Sequence, residues 1–430
     1  MNADLASLAR SQFPALDRGT IFLDNAGGSQ IPIQAIDAVQ RHFLECYSQF
    51  GGEYPQSMRA AQTVKAAHRV VKAYLNGGTP TPNRPAGFEL GQGSGDVILG
   101  SSSTALIHLI AGAYADAHQK QPGRNRIIIC TAAHEANVWP WGKIEPRGFE
   151  IVPWHCEPPA SGPRSALRPN IDTLKSLLND RTLLVAFPQV SNVLGETWDA
   201  RAVADAAHAV GARILVDGVA YAPHHAPDVA RLACDWYVYS TYKVYGPHMA
   251  ALFGTHDAWG ELTGPNPPFV PREETHRKWE LGGVSHEGCA AIAALKDFCC
   301  VLTGQSADTP LDRRVFERAF AIIEELERPL TERLLSILRA KKRVTVIGST
   351  NADPGRECTV AFAVEGMKSA QVAKAANARG LGLRFGHFYS RRLIEHLGFD
   401  LDDGVVRVSL AHYNTLADLD QLAAFFDDTF

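Results

Sequence analysis

Apolar residues in this chain fall into two alternating textures. RIIIC (126–130), TLLVAF (182–187), RILVDG (213–218) and WYVYS (236–240) are compact runs with β-branched or aromatic content, and they predict buried strands. Between them lie helical patterns, such as residues 200–210, which end at Gly211 as a C-cap. Nearer the N-terminus, Ile36, Val39, Phe43 and Cys46 recur at spacings of three and four, marking an amphipathic helix. Strand alternating with helix predicts an α/β fold in which a mostly parallel sheet is covered on both faces. After about residue 288 the texture changes. Residues 311–338 read as one long charged helix with an expected kink at Pro329. ECTVAFAV (357–364) and VVRVSL (405–410) predict two further strands, and Asn414 or Thr415 caps a last helix with Leu419, Leu422, Ala423 and Phe426 on one face. The expected division is a large domain at 20–287 and a smaller α+β domain from 1–19 and 288–430. Three Pro/Gly-rich stretches, 78–95, 157–170 and 264–273, read as surface loops.

Composition narrows the class. A chain of 430 residues exceeds what one hydrophobic core serves, and 46% hydrophobic with 20% charged residues is ordinary for a globular protein. The net charge of −4 comes without long blocks of one sign, so neither nucleic acid nor an anionic membrane is an expected partner. No apolar run is long enough for a bilayer, and the first residues do not read as a signal peptide. The eight cysteines lack the paired spacing of a zinc site, so no metal is expected. They read as reduced core thiols of a cytoplasmic protein.

Chemistry-bearing residues cluster where predicted strands end. Lys243, in STYKVYGP, follows a buried strand, where poor solvation would free its amine for a Schiff base; a lysine leaving the strand for solvent is the alternative. Asp217 stands at the carboxyl end of its strand, positioned either to hold a protonated pyridine nitrogen or to cap the next turn. Ser103 and Thr104 open an apolar helix and offer a phosphate cup, or simply an N-cap. His134 follows the 126–130 strand and could stack on a planar ring or serve structure alone. Asn192 offers a donor to a ring oxygen or substrate carboxylate, or occupies a turn. Arg407 is embedded in an apolar strand and needs a carboxylate, from a substrate or from an internal salt bridge.

Taken in order, these segments resemble the class V aminotransferase family of pyridoxal 5'-phosphate (PLP) enzymes, nearest the cysteine desulfurase and selenocysteine lyase branch. The likeness runs from FLDNAGGSQIP (22–32) to the terminal helix. It implies the PLP-dependent transferase fold type I and a homodimer with a site built across two subunits. By resemblance, Lys243 is the Schiff-base lysine, Asp217 the pyridinium partner and His134 the ring-stacking residue. Asn192 then lies near the ring hydroxyl and substrate, Ser103, Thr104 and Ser240 contact phosphate, and Arg407 grips the substrate α-carboxylate. Tyr242 stands where a histidine usually precedes the lysine, and Tyr54 where a pocket histidine is usual.

The departures bear on the reaction. Desulfurases of this branch carry a loop cysteine that accepts sulfur as a persulfide; the matching segment here is LRFGHFYSRR (383–392), with Tyr389 at the cysteine position. A phenol cannot form a persulfide. The usual glutamine after the aspartate is Ala220, with Tyr221 beside it as a substitute donor, and Gly283 replaces a threonine. The expected activity is therefore β-elimination at a C–S bond of cysteine or a related small amino acid. Transamination or epimerisation on the same scaffold is the alternative, with Tyr54, His387 or Tyr389 as the second acid. A non-catalytic PLP-binding scaffold is the reading from another class.

Overall fold

The computed structural model describes residues 3–78, 95–158 and 166–430. Most of the 78–95 stretch, and 159–165 of the second expected loop, lie outside them. The 264–273 stretch is irregular backbone, as expected.

Seven strands form the central sheet: β1 (Gly95–Gly100), β2 (Arg126–Cys130), β3 (Glu150–Trp154), β4 (Thr182–Pro188), β5 (Arg213–Asp217), β6 (Trp236–Ser240) and β7 (Ala250–Thr255). Their order is β1-β7-β6-β5-β4-β2-β3. All neighbours are parallel except β7, which runs antiparallel between β1 and β6. The strand interiors are largely apolar because both faces are covered, with charged residues near the strand ends. Ile127, Ile129, Leu184, Leu215, Trp236 and Val238 face one core, packed with Ile107 and Ile110 of a helix at Ser103–Lys120. Ile128, Val185, Phe187, Ile214, Val216, Tyr237 and Tyr239 face the other. Period-two alternation thus divides one apolar run between two cores. Truncating any of these fully buried isoleucines to alanine should cost about 2–5 kcal/mol.

A second sheet follows in the C-terminal part: β8 (Val344–Ile347), β9 (Thr359–Val364), β10 (Arg384–Gly386) and β11 (Val405–Ser409), in the antiparallel order β8-β9-β11-β10. Its core includes Val360, Phe362, Val406, Val408, Leu419 and Phe426. The terminal helix (Leu416–Thr429) starts at Thr415, whose hydroxyl accepts from the Asp418 amide while Asp418 answers with a carboxylate in a capping box. Ile21 and Phe22 pair in parallel with Leu381 and Gly382, so this part of the N-terminal segment joins the smaller unit by its hydrogen bonds.

One helix, Arg313–Arg339, connects the two units and runs unbroken through Pro329. Phe316, Phe320, Ile323 and Leu326 belong to the large-sheet core, whereas Leu330, Leu334 and Leu338 belong to the small-sheet core. Proline, which removes one helical hydrogen bond, sits where the helix passes from one core to the other.

Candidate active site

Parallel strands deliver their carboxyl ends to one edge of a sheet, and the chain uses that edge for its polar residues. Asp217 is the last residue of β5. Ser240 ends β6 and a single tight turn, Thr241–Lys243, carries the lysine back over the edge. β4 leads to Asn192, β2 to His134, and β1 to Ser103. Gly218 is needed here, since a Cβ at that position would lie 1.9 Å from the Tyr237 hydroxyl.

These groups meet around a cavity of about 70 Å³ lined by Ser102, Ser103, Thr104, His134, Asn192, Asp217, Ala220, Ser240, Tyr242 and Lys243. It is continuous, through His134, Asn192, Tyr242 and Lys243, with a wider one of about 720 Å³ that adds His108, Trp139, Arg384, His387, Tyr389, Arg391 and Arg407. Eleven of the residues singled out from the sequence are thereby brought together; Tyr221 is not among them. Tyr54 also falls outside: it stands exposed at the start of a helix (Pro55–Tyr74) and lines neither cavity.

Electrostatics follow from burial. Lys243 has its pKa lowered to about 8, first by desolvation and then by the charge of Arg407. It is not a strand-end lysine reaching for solvent; only 8% of it is exposed. Desolvation pushes Asp217 up to about 6, although the Val219 amide donates to its Oδ1 at 3.0 Å. His134 is lowered to about 3 by burial, Lys243 and Arg407, so its ring is neutral; Nδ1 accepts from the Ala136 amide at 3.0 Å. The Tyr389 ring lies 5.3 Å from the His134 ring at 35°. Ser103 and Ser240 hydroxyls bond to each other at 2.8 Å at the start of an 18-residue helix, where free amides and the dipole favour an anion.

Three expectations change in detail. Asn192 is not a free donor: its Nδ2 donates to the Phe388 carbonyl (2.9 Å) and its Oδ1 accepts from Ser390 (2.8 Å), which ties down the loop holding His387 and Tyr389. Tyr221 turns from the cavity and stacks on His225, 4.5 Å between rings, leaving Val219 and Ala220 at the wall. Arg407 has an internal carboxylate, donating through Nη2 to Asp24 Oδ1 at 2.9 Å and through Nη1 to the Asn192 carbonyl at 3.2 Å. Its plane lies 4.0 Å from the Phe388 ring, and its Nε has no partner among the described residues. Asp24 also reaches Arg384 (3.3 Å). It was visible in the sequence only as part of DNAGG; nothing local marks it as the arginine's partner 383 residues away.

The donor set suits one kind of prosthetic group. A weakly basic buried amine, a buried carboxylate, a neutral imidazole and a hydroxyl-rich helix start match the aldehyde, ring nitrogen, ring face and phosphate of PLP. Fold and site together define an enzyme of the PLP fold type I class. The family model for aminotransferase class-V matches residues 21–268 and 314–422. The chain is 35% identical to the aminotransferase-like protein FGM3 of Gibberella zeae over 96% of its own length and 95% of the relative's. It is 30% identical to the cysteine desulfurase-like protein ustD of Aspergillus flavus, covering 97% and 89%. Its fold is similar to the crystal structure of the cysteine desulfurase CsdA from Escherichia coli, with TM-score 0.76, 23% identity and 98% of both chains covered. The chain belongs to the class V aminotransferase family and is a PLP-dependent enzyme.

Proposed function

We propose that this enzyme acts on a small amino acid and breaks a C–S bond at Cβ by elimination, with cysteine or a close analogue as substrate. One observation carries the reading: among the described residues no cysteine lines either cavity, and all eight are buried free thiols. The loop facing Lys243 offers Phe388 and Tyr389 instead. Elimination needs no enzyme thiol, whereas persulfide transfer does.

When bound, PLP supplies an aldehyde for the substrate amine and a sink for the electrons left on Cα. The chain supplies the rest. Arg407, which lines the wider cavity, holds the α-carboxylate. Lys243, neutral in a large fraction of molecules near pH 8, takes the Cα proton. Asp217, ionised above about pH 6, keeps a proton on the ring nitrogen. The Cβ–S electron pair leaves with sulfur, and one water per cysteine completes the balance to pyruvate, ammonia and sulfide.

A two-subunit assembly goes with this reading. Phe43, Leu44, Tyr47, Phe50, Tyr54 and Met58 are exposed apolar side chains within residues 43–58 that a second copy would cover, and that docking is the route by which Tyr54 would approach a pocket. Among the described residues no helix is long and apolar enough to cross a membrane, and buried reduced thiols fit the cytoplasm.

Incubation of the holoenzyme with L-cysteine is the test. Equal pyruvate and sulfide are expected. Alanine with sulfane sulfur would mean desulfuration. A keto acid without sulfide would mean transamination, α-proton exchange with inversion epimerisation, and no turnover of any amino acid a binding protein.

A further inference from the structure

Away from the active site, three chemically different donors meet in the interior between the two units. His224 comes from the turn after β5, Glu327 from the long connecting helix, and Cys358 from the residue before β9. His224 Nδ1 lies 2.9 Å from Glu327 Oε2 and 3.6 Å from Cys358 Sγ. One ligand atom from each falls within 4.8 Å of the others, and all three residues are buried. The second oxygen, Glu327 Oε1, is buried without a hydrogen-bond partner among the described residues. Beside the cluster lies a cavity of about 120 Å³ lined by Glu327 and Cys358 together with His225, Arg356 and Glu357.

We propose that His224, Glu327 and Cys358 bind a divalent transition-metal ion of the zinc class, with water from the adjoining cavity as fourth ligand. Around tetrahedral zinc, bonds of about 2.0 Å to nitrogen and oxygen and about 2.3 Å to sulfur put nitrogen roughly 3.6 Å from sulfur and roughly 3.3 Å from oxygen. The nitrogen–sulfur separation already has that value, and the nitrogen–oxygen edge needs to open by about 0.4 Å. Thiolate with imidazole selects zinc over calcium or magnesium. Coordination would take the imidazole as a neutral donor and Cys358 as thiolate, with release of the thiol proton. The ligands span both units, so the ion is a structural clasp rather than part of the reaction.

Tag-free holoprotein, loaded with zinc and desalted against a weak chelator, should keep one zinc per chain. Cys358→Ser and Glu327→Gln should each lose it while keeping their PLP. Cobalt should give the wild type a thiolate-to-metal charge-transfer band, a readout that needs no variant to fold. Zinc retained equally by wild type and variants, or no zinc retained and no cobalt–thiolate band, overturns the site. Neither result touches the cysteine reaction, which is measured separately.

Discussion

The depressed basicity of Lys243 gives a sharp handle, because Arg407 is its largest cause after burial. Replacing Arg407 by glutamine removes one buried positive charge and leaves Asp24 without its closest partner, so both changes stabilise the protonated amine. At an illustrative separation of roughly 8 Å and an effective dielectric of about 20, a unit charge contributes about 2 kcal/mol. At 1.36 kcal/mol per pKa unit this is about 1.5 units, so the lysine should titrate between roughly 9 and 10 rather than near 8. Cofactor-free protein can be labelled with trace acetic anhydride across a pH series, and the Lys243 peptide quantified by mass spectrometry against an exposed lysine. Only the neutral amine reacts, so the labelling midpoint reports the pKa. An unchanged midpoint in Arg407→Gln would mean that desolvation alone sets the lysine's basicity, and the electrostatic coupling of the site would be wrong.

Other outcomes follow from single features. Lys243→Ala should lose covalently held cofactor, read by borohydride reduction and peptide mapping; reduced cofactor on another lysine would contradict the assignment. Gly195 has φ +63°, and a Cβ there would lie 2.0 Å from the Thr359 carbonyl oxygen, so Gly195→Ala should destabilise the junction by more than about 3 kcal/mol in a denaturant titration. Burial works to lower the His225 pKa, but Glu357 (3.0 Å) and Glu324 (3.6 Å) outweigh it and hold the ring protonated well above its usual range. A raised folded-state value means this stabilisation is complete below pH 6.5 and is lost as pH rises through the higher value. Melting temperature should therefore fall more between pH 6 and pH 9 in the wild type than in His225→Gln.

Four strands of the large sheet were legible because a strand buried on both faces is a continuous apolar run, and RIIIC and WYVYS match their strands residue for residue, whereas β1 and β3 went unread. Nor was the antiparallel β7, because AALFGT, with alanine and glycine around Leu252 and Phe253, carries no β-branched residue before Thr255 and takes its direction from partners on both sides. Strand-end chemistry was readable for the same geometric reason, since each parallel strand must release its next residues at one edge. What could not be read was pairing at long range. Arg407 needed a carboxylate by elementary desolvation, yet only folding brings Asp24 to it, and only folding turns Asn192 toward the Phe388 carbonyl and the Ser390 hydroxyl. That loop carries consecutive positive φ values at Phe388 (+49°) and Tyr389 (+58°), a conformation that composition does not announce.

The reactive amine and the guanidinium stand on different bodies. Lys243 and Asp217 are rooted in the seven-stranded sheet, while Arg407 is rooted in the four-stranded one. A hinge between them would lengthen the span across which an amino acid is held, yet leave the coenzyme's anchors at fixed separation. Such a swing would release product while the prosthetic group stayed behind, ready for the next turnover.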